Sequence, residues 1–440
     1  MLFPTITFTL FFLVFLLLWQ GLGRSALSRE NLLTAGGLVF YGALSPVMLA
    51  YLAGWAGLLA WAGRRPDRQG SVVMGFGLLQ LLFWKSFELI PHYQLTGPLA
   101  QWAVPAGLSF FTFSGLTYLF QRQDGVLVTA WSFKRVFAFV GFFPCLLSGP
   151  IQRAATWEAD LAQPQAPAPD RALALIALGL FYKLVLATVL GEYVDPVYTA
   201  PGEQPASALA LAAYAYAFQL YADFCGYSMM AQGVALLLGF AVPENFKQPY
   251  LATSVQDFWR RWHCSLSSWL RDYLYIRALG GNRQGPRRKT ANLMLTFLLC
   301  GAWHGLALHY LVWGAWHAIS VALKEWRGLT LPKPVAWLLA FHAVVLGWIW
   351  FRASSAEDAV AVFEGLAANN WSWQPEFLPV LGWLLVAAAL HRGEGGVLRL
   401  TMAIAQRLPE TISGVYWGIL TATILLVSPP GVPPFIYFSY

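Results

Sequence analysis

Charge is scarce in this chain. Asp, Glu, Lys and Arg make up 11% of the 440 residues, less than half of the ~25% usual in globular domains. With 58% hydrophobic residues and a mean hydropathy of +0.54, that shortage excludes a soluble globular protein. Short segments of alternating polarity are also missing, which excludes a β-barrel. What remains is an all-α polytopic membrane protein, because apolar runs near the ~20 residues needed to cross a bilayer recur along the chain. Cysteine is sparse too. Cys145, Cys225, Cys264 and Cys300 include no CxxC pair and no disulfide-like spacing, and all four read as free and buried. The net charge of +7 does not point to nucleic acid, since membrane proteins concentrate Lys and Arg in cytoplasmic loops. No internal repeat and no separable soluble domain is visible, so residues 1–440 read as one integral membrane domain.

The basic residues set a topology. Residues 2–19 are apolar, with no positive segment before them and no cleavage site after them, and read as a retained first span. Arg24 and Arg29 then put the first loop inside. Residues 31–63, interrupted by Gly36-Gly37 and Ser45-Pro46, read as two short or broken helices returning to Arg64. Residues 71–89 cross outward, the loop 90–103 has no Lys or Arg, and 104–121 cross back to Arg122. An apolar piece at 136–150 ends at a Pro/Ala/Gln-rich connector, 162–170. Spans follow around 171–190, 207–225 and 228–240, with a connector at 201–205. After residue 330, spans are read at 332–351, 375–390 and 411–428, with an interfacial helix at 357–369. The sum is roughly ten to twelve spans plus short re-entrant or interfacial helices. Residues 1–100 form N-terminal spans, 100–330 a core around 254–317, and 331–440 the C-terminal spans and tail.

The unusual chemistry lies in 254–317. Ser254 with Asp257 three residues on is a capping-box-like helix start. At about 100° per residue, residues 254–273 group Phe258, Trp259, Trp262, Leu266, Trp269 and Tyr273 opposite Arg260, Arg261 and Arg271. That pattern predicts one amphipathic helix suited to a membrane interface or to a funnel into the protein. His263 lies at the edge of its apolar arc and reads either as incidental or as functional. The loop 280–289 carries Arg283, Arg287, Arg288 and Lys289. Positive-inside topology explains these cations, and attraction of an anionic donor is the functional alternative.

Residues 293–312 form a nearly continuous apolar run that contains Trp303-His304-Gly305 and His309. An imidazole in hydrocarbon needs a partner or a water-filled cavity, so His304 is a functional candidate, with a packed, hydrogen-bonded histidine as the alternative. Gly301 and Gly305 would let a second backbone or a ligand come close. A neutral imidazole can take the proton of an acceptor hydroxyl as it attacks a thioester carbonyl, which suits acyl transfer. No Gly-x-Ser-x-Gly elbow is present. Cys300, His304, His309 and His317 do not complete a convincing zinc set, so no metal is expected. Asp223, inside another apolar span with Gln219 and Tyr221, needs a partner or water and reads first as a structural hub.

Several segments resemble the membrane-bound O-acyltransferase (MBOAT) family, in its bacterial alginate O-acetyltransferase branch. They are Tyr221-Ala-Asp-Phe-Cys-Gly-Tyr-Ser228, Pro243-Glu-Asn-Phe-Lys-Gln-Pro-Tyr250, residues 257–276, Gly280-Gly-Asn-Arg283, Gly301-Ala-Trp-His-Gly305 and Pro434-Phe-Ile-Tyr-Phe438. Met229 departs from the pattern where relatives commonly place Asp, and so do residues 306–309. The resemblance implies a curved helical scaffold with a central tunnel. In it His304 matches the catalytic histidine, and His263 the second histidine of the bacterial branch. It also implies an inner-membrane O-acetyltransferase for an exported polysaccharide, alginate- or cellulose-like. The co-substrate would be a cytoplasmic acyl thioester, acetyl-CoA or an acyl carrier. No cofactor would be permanently bound. The partners would be membrane lipid and a periplasmic or surface acetyltransferase, not nucleic acid. The rivals are D-alanyl or other acyl transfer to teichoic acid or peptidoglycan, and, from a different class, a proton-coupled transporter.

Overall fold

The computed structural model describes residues 3, 5–86, 104–283, 285–327, 331–368 and 370–430. The loop 90–103 and the tail motif at 434–438 lie outside them. Among the described residues every regular element is helical. Apolar side chains cover much of the outside: Ile6, Leu385 and Leu426 are each more than 70% exposed. Bare apolar helix faces on this scale are stable in lipid rather than in water.

The chain divides into two compact units. One holds Met1–Ile176 and Tyr227–Glu244, the other Ala177–Gly226 and Asn245–Tyr440. The first unit begins with Ile6–Leu22, Ala26–Gly42, Pro46–Ala62 and Ser71–Ser86. Ser45 caps the third of these through its hydroxyl, with Pro46 at the first helical position, so the expected break at Ser45-Pro46 has a capping mechanism. Leu108–Gln123 follows, then two short helices, Phe133–Val140 and Phe143–Leu146, where one apolar piece was read. Phe143 is the hub of an aromatic core formed with Phe8, Phe11, Phe15 and Phe40. Glu30, almost fully buried, is paired with Arg135 at 2.9 Å.

In the second unit the helices are longer than the sequence spacing suggested. The apolar stretches read at 207–225 and 228–240 are one 32-residue helix, Ala206–Leu237, which crosses from this unit into the first. Gly226 does not break it. A Cβ there would lie 2.7 Å from the Gly179 carbonyl oxygen, so this glycine serves close backbone approach. The span read at 171–190 extends over Pro169–Thr199 through a π-helical segment, Phe181–Leu186. The last spans are Lys333–Arg352, Phe377–Gln406 and Glu410–Val427, with Ala356–Ala367 as the short helix expected near 357–369.

Among the described residues, three helices are long and apolar enough to cross a membrane by length and composition: Pro169–Thr199, Lys333–Arg352 and Glu410–Val427. Ile6–Leu22 and Pro46–Ala62 are apolar but have 17 residues each, about 25 Å at 1.5 Å per residue. That is the lower end of the length range of a membrane-crossing helix.

Candidate active site

All the candidate chemistry of 254–317 belongs to the second unit. The expected cap is present, with the Ser254 hydroxyl accepting from the Asp257 backbone at 3.1 Å. The single amphipathic helix is not. Val255–Arg261 stops, His263 takes a left-handed conformation (φ 44°, ψ 53°), and Cys264–Trp269 starts afresh before a π-helical segment, Leu270–Ala278. The ring face survives this break, since Phe258, Trp262, Leu266, Trp269 and Tyr273 are all buried. Ser265 is buried as well.

Asn245 explains the kink. Its backbone oxygen accepts from Cys264 N at 2.9 Å. Its side-chain Oδ1 accepts from Ser265 N at 3.2 Å and lies 3.3 Å from His263 Nδ1. Because the Ser265 N–H fixes Oδ1 as the acceptor atom, Nδ1 must carry the ring proton, and Nε2 is the basic nitrogen. The ring is 1% exposed and meets Phe224 edge-to-face at 4.6 Å. His263 joins two helices of seven and six residues, too short to span a bilayer, and burial lowers its pKa to about 3.

The apolar run 293–312 is a hairpin, not one crossing. Gly285–His304 ends at the histidine, Gly305 leaves the helix, and Leu308–Arg327 returns. The basic residues Arg287, Arg288 and Lys289, read as loop, lie in the first turns of the incoming helix. Two glycines bring the helices together. A Cβ on Gly301 would overlap the Tyr310 carbonyl oxygen, and one on Gly314 would lie 2.5 Å from that of Phe297. Gly301 therefore serves the close approach expected of it, while Gly305 marks the turn.

His304 is thus the last residue of its helix, 6% exposed. Rings enclose it: Trp303 at 4.4 Å, Phe351 at 4.8 Å, and Trp313 edge-on at 5.1 Å between centroids. His309 has a structural partner, its Nδ1 donating to the Trp350 carbonyl at 3.1 Å. The two candidate histidines belong to separate clusters joined by a series of rings. Trp262, next to His263, packs on Trp348 at 5.0 Å, and Trp348 stacks on Trp313 at 6.0 Å.

A cavity of about 500 Å³ opens beside these elements, within the range of small-molecule sites. Trp259, Cys264 and Cys300 line it, with Ser267, Ser268 and Thr296, and Cys300 lies one helical turn before His304. Arg260, Arg271 and Lys289 bring positive charge, and among the described residues no carboxylate is in the lining. Asp272, bonded to Arg271 at 2.8 Å, offsets part of that charge. Cys264 is half-buried, not buried as expected, and among the described residues none of the four cysteines is in a disulfide. The sequence reading missed Asn245, Trp313 and Phe351 as neighbours of the histidines. Asn245 stood in a quoted motif, but nothing local tied it to a residue 18 positions on.

Asp223 is 2% exposed and ion-paired with Lys183, itself 3% exposed on the π-helical segment. Tyr221 donates to Glu394 Oε2 at 2.6 Å, and Tyr182 lies 3.4 Å from the same atom. Asp223 thus has the partner that its place in an apolar span required.

An all-helical membrane protein with a buried, ring-enclosed histidine one helical turn from a cysteine that lines a basic cavity fits an enzyme class that works on acyl groups in the membrane. Residues 69–355 match the MBOAT, membrane-bound O-acyltransferase family. The chain belongs to that family and is a membrane-bound O-acyltransferase. It is 36% identical to the "Probable alginate O-acetylase AlgI" of Pseudomonas fluorescens over 361 residues, 78% of this chain and 71% of that protein. It is also 36% identical to the peptidoglycan O-acetyltransferase of Helicobacter pylori over 326 residues, 66% of this chain and 60% of that protein. With the teichoic acid D-alanyltransferase of Bacillus subtilis it shares 31% over 266 residues, 57% of this chain and 67% of that protein.

Proposed function

We propose that this chain transfers an acetyl group from a cytoplasmic thioester donor towards an exported polysaccharide of the alginate or cellulose type. His304 is its catalytic centre and the bacterial inner membrane its location. One observation carries the reading. His304 ends its helix among aromatic rings, one turn beyond a cysteine that lines a cavity whose described residues include three cations and no carboxylate. Acetyl-CoA and phosphopantetheine carriers are both anionic thioesters, which such a cavity suits.

In this reading the neutral His304 imidazole takes the proton of the acceptor hydroxyl while its oxygen bonds to the thioester carbonyl carbon. The tetrahedral adduct collapses, the carbon–sulfur bond breaks, and the leaving thiolate takes up the proton. The carbonyl end of the helix offers partial negative charge to the imidazolium that forms in between. His263, with Nε2 as its basic nitrogen, assists donor or acceptor positioning or proton transfer. A periplasmic or surface acetyltransferase partner then completes modification of the polymer.

The longer match to an alginate O-acetylase than to the D-alanyltransferase supports acetyl over D-alanyl transfer. His304→Ala is expected to lower polysaccharide acetylation in cells by at least ~10²-fold, the scale of a lost general base, with the protein still folded in the membrane. Normal acetylation in that variant would overturn the assignment. Transfer of labelled D-alanine but not labelled acetate would move the enzyme to the other branch.

A further inference from the structure

We propose that His317 is a positioning residue for acyl transfer, holding Trp259 as a wall of the cavity and Trp313 against His304. This rests on the reading of that cavity as the donor site and of His304 as the catalytic centre.

His317 is fully buried on the returning helix of the hairpin, about one turn beyond Trp313 of the ring cluster around His304. Its Nδ1 lies 3.3 Å from Trp259 Nε1. The indole nitrogen can only donate, so Nδ1 accepts and the ring is the neutral Nε2–H form. The two rings meet at right angles, with centroids 5.1 Å apart. Trp259 in turn lines the cavity beside Arg260 and Cys264. On its other side His317 meets Trp313 edge-on at 5.1 Å, and Trp313 meets His304 at the same separation.

The remaining nitrogen shows what the imidazole is there for. Nε2 is buried with no hydrogen-bond partner among the described residues, and it faces Gly347, where an added Cβ would lie 2.7 Å away. A phenylalanine would fill this slot without burying an unsatisfied N–H, which is costly. What imidazole adds is the acceptor at Nδ1, and that acceptor holds a tryptophan of the donor cavity. The bare glycine opposite makes room for the ring in that orientation.

The test compares three single variants, and the His317→Phe/Trp259→Phe double variant, in the full-length protein in membranes. His317→Phe keeps the shape and removes the acceptor, Trp259→Phe removes the donor, and His317→Asn returns an acceptor near the Nδ1 position. Two measurements are made, the KM for labelled acetyl-CoA and the alkylation rate of half-buried Cys264 by N-ethylmaleimide. The second needs no turnover. His317→Phe is expected to raise both by about fivefold, as for one lost hydrogen bond, with kcat changed less. Trp259→Phe should match it, the double variant should be no worse than either single one, and His317→Asn should recover most of the loss. Alkylation rates that stay at the native value in His317→Phe, or additive effects in the double variant, would overturn the positioning role. Loss of the function reading shows separately, as acetyl transfer that survives His304→Ala.

Discussion

His263 is held in a backbone conformation that costs free energy, and the surrounding contacts show why it persists. A left-handed residue with a Cβ is about 1–2 kcal/mol less stable than in the right-handed region. Here Asn245 offsets that cost by accepting two backbone N–H groups after the kink and facing the ring itself. Asn tolerates the left-handed region and Val does not. His263→Asn should therefore melt within a few degrees of the native protein in detergent, while His263→Val should lose about 1–2 kcal/mol. The sign of the pH effect follows from burial. The folded-state pKa of about 3 lies below the ordinary 6.5, so below pH 6.5 the unfolded chain binds a proton that the folded one does not. The histidine's contribution to stability is present above pH 6.5 and is lost as pH falls towards 3. Melting temperature should drop more steeply with acid in the native protein than in His263→Asn. Equal slopes would mean that the ring is charged or solvated in the fold.

At the scale of elements, the informative features are breaks that composition does not announce. Residues 293–312 are apolar on both sides of His304, so hydropathy alone reads one crossing where the chain turns back. Gly305 carried the turn signal, but a single glycine in a helical pattern is an ambiguous one. The amphipathic arc of 254–273 picked out rings that are buried, with Trp259 half-buried, and missed the kink, because the kink is imposed by Asn245 from outside the helix. The two candidate histidines, the capping serine and the need of Asp223 for a partner were legible locally, from spacing and from the cost of polarity in hydrocarbon. The aromatic enclosure of His304 was not, since Trp313 and Phe351 come from two other helices. The hairpin makes its own prediction. Gly301 faces the Tyr310 carbonyl with no room for a side chain, so Gly301→Val must separate the two helices. Acyl transfer should fall more than tenfold, and yield of membrane-inserted protein should fall as well. Gly418, with nothing within 4 Å of its Cβ position, should accept Ala without effect. Native activity in Gly301→Val would show that the close approach is dispensable.

At the scale of the whole molecule, the question is how polar groups are kept inside a chain so poor in charge. The second unit does it by pairing. Lys183 and Asp223 lie 40 positions apart on different helices, each almost fully buried, and form an ion pair. Neither residue specifies the other locally, because each stands alone in an apolar run. The π-helical segment at Phe181–Leu186 carries Lys183, and such widened turns recur where a side chain must be aimed differently from an ideal helix. Buried pairs are costly to break and cheap to replace. Removing one partner strands a charge at about 3–5 kcal/mol, whereas replacing both with well-packed apolar residues is often neutral or stabilising. Lys183→Met alone and Asp223→Leu alone should each give little folded protein in the membrane. The double variant should recover thermal stability, and with it acyl transfer, because the pair acts by joining two helices rather than by touching substrate. If the double variant folds to native stability but transfers no acyl group, the pair belongs to the chemistry. The proton-coupled reading of these buried charges would then have to be reopened for this unit.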